Sequence, residues 1–202
     1  MAGKDKAQTF VFFGIVGSGK GTQVKLLMDF LKSKDGKECV YIGTGEIFRK
    51  IVQASDESDV ATQAVRELLH SGRLIPDDMT NGLVVSMVEK ELTADKNCIF
   101  DGYPRTLSQS EFFEQLMQIH KRENIKIIYI ELSKVEAMKR NLLRGRADDT
   151  ETGLNKRFEE YVNNVVPAMS YFKDKPGYQI LTIKGEQSIE DVHKDIIKAL
   201  NF

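Results

Sequence analysis

The sequence predicts an α/β protein: a five-stranded parallel sheet with helices packed against it. Three observations carry that expectation. Short β-branched or aromatic runs alternate with helical patterns along the 202 residues, the order that right-handed crossovers require. The first run breaks into a glycine loop that opens directly into a helix. The stretch between the second and third runs, 43–96, is far too long for one crossover helix and has room for at least three.

The first strand is Thr9-Phe10-Val11-Phe12-Phe13, apolar enough to be buried on both faces. Gly14 to Gly19 follow, and Lys20 begins a helix whose stripe is Val24, Leu27, Met28 and Leu31. Strand, glycine loop and helix N-terminus together form an anion trap. Glycines let backbone N–H groups face inward, and the helix dipole adds positive potential. The spacing Gly14-x-x-x-x-Gly19-Lys20 is that of a phosphate-binding loop. Gly21 stands where the general motif has Ser or Thr, and the hydroxyl comes one residue later, at Thr22. A protein so equipped binds a nucleoside polyphosphate.

Glu38 to Ile42 reads as the second strand, Asn97 to Phe100 as the third, Lys126 to Leu132 as the fourth and Tyr178 to Ile183 as the fifth. Between the second and third, helices are expected around 46–52, 58–70 and 77–92, the last opened by Pro76 and turning Met79, Leu83 and Met87 inward. Ser108 with Glu111, and Ser133 with Glu136, read as capping boxes, and Ser188 with Asp191 as a weaker one. Pro167 lies inside a helical pattern from about 150 to 172 and predicts a kink.

The totals fit one domain spanning 1–202 with 41% hydrophobic residues, and 29 basic against 30 acidic side chains leave no field to draw nucleic acid or membrane. Cys39 and Cys98 are too few for a disulfide framework or a structural zinc site and read as buried thiols. A polar start and the lack of a long apolar run predict a soluble, cytoplasmic protein. His70, His120 and His193 have no ligand spacing and are expected at the surface. No motif speaks to oligomeric state.

The third strand leads into Asp101-Gly102-Tyr103-Pro104-Arg105. Ligands of doubly wound sheets bind beyond the carboxyl ends of strands, so Asp101 is expected beside the phosphate loop, able to hold magnesium directly or through water; a plain turn is the alternative. After the fourth strand come Arg140, Arg144, Arg146 and Arg157. Arg140 and Arg144 are i, i+4, opposite a stripe of Val135, Met138 and Leu142, and read either as phosphate ligands or as a solvated face. Arg157 borders the stripe of Leu154, Phe158, Tyr161 and Val165, where a guanidinium needs a partner. Asp148 and Asp149 argue against a nucleic-acid patch.

Gly17 to Gln23, Thr44-Gly45-Glu46 with Arg49, Asp101 to Thr106 with Gln109, and Asp148-Asp149 with Arg157 together resemble the adenylate kinase family, over nearly the whole chain. The resemblance implies a P-loop kinase fold of strand order 2-3-1-4-5, a helical insertion at 43–75 for the monophosphate, and reversible, magnesium-dependent phosphoryl transfer from ATP to AMP. It implies that Gly17, Ser18, Gly19, Lys20, Gly21 and Thr22, with Arg140 and Arg144, bind ATP. Thr44, Arg49, Ile75, Gly102, Arg105, Gln109, Arg146 and Arg157 would bind AMP. Lys20, Arg105, Arg140, Arg144, Arg146 and Arg157 would be catalytic, and Asp101 and Thr22 would serve magnesium. Val16 replaces the family's usual loop proline. The lid is vestigial, 144–150, with only Gly145 between Arg144 and Arg146. A UMP/CMP kinase is the nearest rival, but such relatives usually carry Ala and Asn where Thr44 and Thr106 stand. A nucleotide-binding sensor or scaffold is the other, and the stub lid is its support. The Asn-Lys-x-Asp signature of GTPases is missing.

Overall fold

A computed structural model describes residues 7–55, 59–145 and 150–202. Five strands form one parallel sheet: β1 (Thr9–Phe13), β2 (Cys39–Gly43), β3 (Asn97–Asp101), β4 (Ile125–Glu131) and β5 (Tyr178–Lys184), in the order β2-β3-β1-β4-β5. Each strand falls within a residue or so of its sequence-based position. After β1 comes α1 (Lys20–Asp35), and the long second connection carries α2 (Thr44–Ala54), α3 (Val60–Ser71) and α4 (Asp77–Glu91). Then follow α5 (Leu107–Ile119), α6 (Lys134–Arg144), α7 (Glu151–Glu160), α8 (Val166–Ser170) and α9 (Ile189–Ala199).

Central β1 is buried throughout because helices cover both faces of the sheet. On one face Val11, Phe13, Phe100 and Ile127 pack with Val84, Val88, Phe113, Met117 and Ala168 from α4, α5 and α8. On the other, Phe10, Phe12, Ile99 and Ile128 meet Val24, Leu27 and Leu31 of α1 and Val192 and Ile196 of α9. A smaller cluster of Ile15, Ala137, Leu154 and Phe158 ties the glycine loop to α6 and α7. Phe113 is fully buried, edge-on to Phe100 at 5.0 Å and to Phe172 at 5.9 Å. Phe113→Ala is therefore expected to cost about 3–5 kcal/mol in denaturant unfolding, with nucleotide affinity nearly unchanged.

Several expectations are corrected. The inward face of α4 is Thr80, Val84 and Val88, with Met79 exposed and Leu83 and Met87 only half-buried. In α6 the buried residues are Ala137 and Asn141, while Val135 and Leu142 are 81% and 55% exposed. This helix lies so close to the glycine loop that only small or hydrogen-bonding side chains fit beneath it. Thr106, not Ser108, caps α5, its hydroxyl accepting from the Gln109 N–H; Ser133 and Ser188 cap α6 and α9 as expected. Before Pro167 the helix widens into a π turn, Tyr161–Val165, which joins α7 to α8. His120 and His193 are half-buried, the former 3.2 Å from Glu89 and the latter edge-on to Phe30.

Candidate active site

Parallel strands end on the same side of the sheet, and the register fixes what meets there. Asp101 pairs with Phe12 of β1 and with Gly43 of β2. The glycine loop, the start of α2 and the β3–α5 turn therefore converge at one edge, where ligands of such sheets bind. Gly17 and Gly19 have φ of +87° and +90°, a region costly for other residues, and Gly19 caps α1. The first-turn N–H groups of α1 thus follow a loop whose last glycine has nothing within 4 Å of where its Cβ would stand.

Lys20 folds its ammonium onto that loop, donating to the Gly14 carbonyl at 2.6 Å and that of Ile15 at 3.1 Å. Burial pulls its pKa down to about 8; Asp101 opposes the fall, while Arg105 and Arg144 add to it. These neighbours mark Lys20, Asp101, Arg105 and Arg144 as one electrostatic group. The sign is testable. A polyphosphate favours the ammonium, so binding ATP above pH 8 takes up a proton. Affinity is expected to fall by up to about tenfold per pH unit between roughly pH 8 and 10. Calorimetry at pH 8.5 in two buffers of different ionisation enthalpy would read the proton, and Lys20→Arg would abolish it. The same lowered pKa means the unfolded chain holds the extra proton, so this group adds stability as pH rises through that window.

Arg105 donates through Nε to the Gly102 carbonyl at 2.7 Å, and the Thr44 hydroxyl donates to the same oxygen at 2.8 Å. Gly102, at φ +75°, leaves no Cβ where the guanidinium lies. A Cβ placed on Gly45 would stand 3.5 Å from Arg105 Nη2 and 3.5 Å from Arg49 Nη1, so two guanidiniums converge over the first turn of α2. Burial lowers the Arg105 pKa; Asp101 opposes this, while Arg49 and Arg157 reinforce it. Arginine nonetheless stays ionised. Arg105 thus belongs to two sets of charges: Lys20 and Asp101 on the loop side, Arg49 and Arg157 on the α2–α3 side.

Arg157 reaches the insertion directly, donating from Nη2 to the Leu69 carbonyl at 3.2 Å, a favourable place for a cation at the C-terminus of α3. Beside it Gly72, at φ +74°, comes so close to α7 that a Cβ would stand 2.4 Å from the Gly153 oxygen. Ile75 is half-buried in the segment between α3 and α4.

Gln109 is buried, and its amide is engaged at both ends: Oε1 accepts from the Arg105 N–H at 2.7 Å and Nε2 donates to Asp77 at 2.8 Å. Asp77 also accepts from the Thr106 hydroxyl at 2.8 Å. Arg140 is tied within α6. Its Nε donates to Glu136 at 2.9 Å, and it lines a cavity of 450 Å³ with Ser133, Val135, Glu186 and Gln187. Arg144 ends α6, and Gly145 caps it in the left-handed region. Arg146, Asp148 and Asp149 lie outside the described residues, as does most of the 144–150 stub.

Asp101 has a phenol beside it, Tyr41 Oη at 3.5 Å from Oδ2, and lies close to Gly21, where a Cβ would stand 3.9 Å from Oδ2. Thr22 is exposed in the first turn of α1. One carboxylate and one hydroxyl beside a phosphate loop suit magnesium that arrives with a nucleotide and keeps most of its waters. Among the described residues no group of three or more His, Cys, Asp or Glu could hold a metal ion.

The sequence reading missed Tyr41, Asp77 and Asn141. Only Asn141 left a signal, an amide on the buried face of α6 one turn beyond Ala137.

A parallel sheet with a phosphate loop at its centre, faced by arginines from four other segments, defines a P-loop phosphotransferase. Comparison with known proteins narrows this class. The family pattern described as Adenylate kinase matches residues 12–176. The chain is 31% identical to Adenylate kinase 1 of Nostoc sp., over 92% of this chain and 95% of that protein. It is likewise 31% identical to an adenylate kinase of Corynebacterium urealyticum (95% and 98% covered) and 30% identical to one of Corynebacterium diphtheriae (94% and 97%). The chain belongs to the adenylate kinase family.

Proposed function

We propose that the chain catalyses reversible transfer of the γ-phosphoryl group of ATP to AMP, giving two ADP. The observation that carries this is the position of Arg105, anchored on the Gly102 carbonyl next to Asp101 at the strand end, with its Nη2 converging on Arg49 over Gly45. A residue so placed can touch donor and acceptor phosphates at once, and its planar fork spans two oxygens. Phosphoryl transfer asks mainly for alignment and for positive charge on the passing group. The acceptor oxygen of a nucleoside monophosphate is already ionised, so neither a general base nor a covalent intermediate is needed.

In this reading Gly17 to Thr22 cradle the donor phosphates, and Lys20 leaves the Gly14 carbonyl for the transferring group. Arg144 flanks the donor phosphates, and Arg140 borders the cavity that takes the donor base. Arg49, Arg105 and Arg157 hold the AMP phosphate, with Thr44, Gly102 and Ile75 lining the acceptor chamber over residues 43–75. Gln109 reads the acceptor purine once its bond to Asp77 opens. Arg146 joins the phosphate ligands, and the 144–150 stub serves as the lid. Asp101 and Thr22 would hold, through water, a magnesium ion that would supply positive charge to the donor polyphosphate.

No helix among the described residues is long and apolar enough to cross a membrane. Cys39 and Cys98 are free thiols in cores on opposite faces of the sheet, a pattern that supports the reducing cytoplasm as its site of action. To test the activity, the protein is mixed with ATP, magnesium and AMP, UMP, CMP or GMP in turn, and diphosphate formation is followed. ADP forms with AMP at a rate the other three do not match. No ADP above background with AMP would overturn the reading.

A further inference from the structure

We infer that Asn141 is a positioning residue that pins the arginine-bearing end of α6 to the phosphate loop, so that Arg144 is set over the donor phosphates without lid closure. Asn141 is fully buried. Its Nδ2 donates to the Val16 carbonyl of the glycine loop at 3.0 Å and to the Ala137 carbonyl, one turn back, at 2.7 Å. Two acceptors can be served only by the amide nitrogen, which fixes the side-chain orientation. The loop is shaped to receive it: a Cβ on Gly17 would stand 2.5 Å from Nδ2 and 2.9 Å from the Ala137 oxygen. Helix and loop therefore meet backbone to backbone, with this amide as the clasp.

The other end of the amide argues against a purely structural role. Oδ1 is buried and finds no protein donor, an arrangement that works against stability. A leucine of similar size has no donor for the Val16 carbonyl, so replacing the amide removes the tie between helix and loop. What the amide adds is a bond 125 residues along the chain, between α6 and the loop that cradles the phosphates. Arg144 lies one turn further along α6, on the same face as Asn141, and its charge already bears on Lys20. With a single glycine between Arg144 and Arg146, the chain has little lid to swing in. A clasp at Asn141 replaces that motion with a fixed distance.

The inference rests on the ATP:AMP reading, and the test separates the two. Wild type and Asn141→Leu are compared in steady-state kinetics, with ATP and AMP varied independently, and in thermal melting. The expected result is a tenfold or greater fall in kcat/KM for ATP with a KM for AMP within twofold of wild type, while thermal melting reads the cost to the fold separately. Kinetic constants within twofold of wild type would overturn the inference. So would equal losses on the ATP and AMP sides. Should Asn141→Leu not fold, Asn141→Ser, whose hydroxyl is too short to reach Val16, is read by the same ATP-against-AMP split. A wild type that makes no ADP would overturn the activity itself, whereas an active wild type matched by its variants would overturn only the role of Asn141.

Discussion

Lys20→Met is expected to lower kcat by roughly a thousandfold, about 3–5 kcal/mol of transition-state stabilisation. The ammonium is the charge nearest the loop, held by the Gly14 and Ile15 carbonyls until a phosphate displaces it. Its lowered pKa, about 8, keeps it ionised at neutral pH while leaving it poorly solvated, so that it gains most when a developing charge arrives. Methionine keeps the length and removes the charge. The melting temperature should rise slightly if it changes at all, since a desolvated cation is gone. A coupled assay of ADP formation, read beside calorimetry of ATP binding, measures both. A variant within tenfold of wild type would mean that the loop is not where transfer occurs.

Arg105→Lys is expected to cost about a hundredfold or more in kcat/KM for both ATP and AMP. The guanidinium is anchored by Nε on the Gly102 carbonyl, and Nη2 then points over Gly45 toward Arg49. A lysine offers a single ammonium and cannot hold that carbonyl while also bridging two phosphates. Because Arg105 faces both substrate chambers, both KM values should rise, whereas Arg49→Lys on the acceptor side should raise that for AMP alone. A loss confined to one substrate would place Arg105 in one chamber and remove the observation on which the transfer reading rests.

The strands and the phosphate loop were plain in the amino-acid sequence because their physics is local. A run of five buried residues followed by glycines at positive φ leaves few other choices. The candidate arginines stood out as residues, but the tie of Arg140 to Glu136 and the cavity it lines did not. Legibility failed wherever an element packs against backbone instead of side chains. In α6 the apolar residues Val135 and Leu142 point outward because the inward face must come within bonding distance of Val16, which Ala137 and Asn141 permit. Partners remote in sequence were hidden too. Nothing near Gln109 announces that Asp77, 32 residues earlier, fixes its amide. The cap of α5 slipped by two residues because Thr106 and Ser108 are both competent and only the turn after Pro104 decides between them.

The contact of Gly72 with Gly153 has no room for a side chain. The two backbones meet directly, and Arg157 Nη2 on the Leu69 carbonyl adds a second tie between α7 and α3. The helical insertion is thereby joined to α7 at two points, one steric and one polar. Gly72→Ala is therefore expected to disturb α3 and α7 together, because the added carbon meets a backbone oxygen that has nowhere to go.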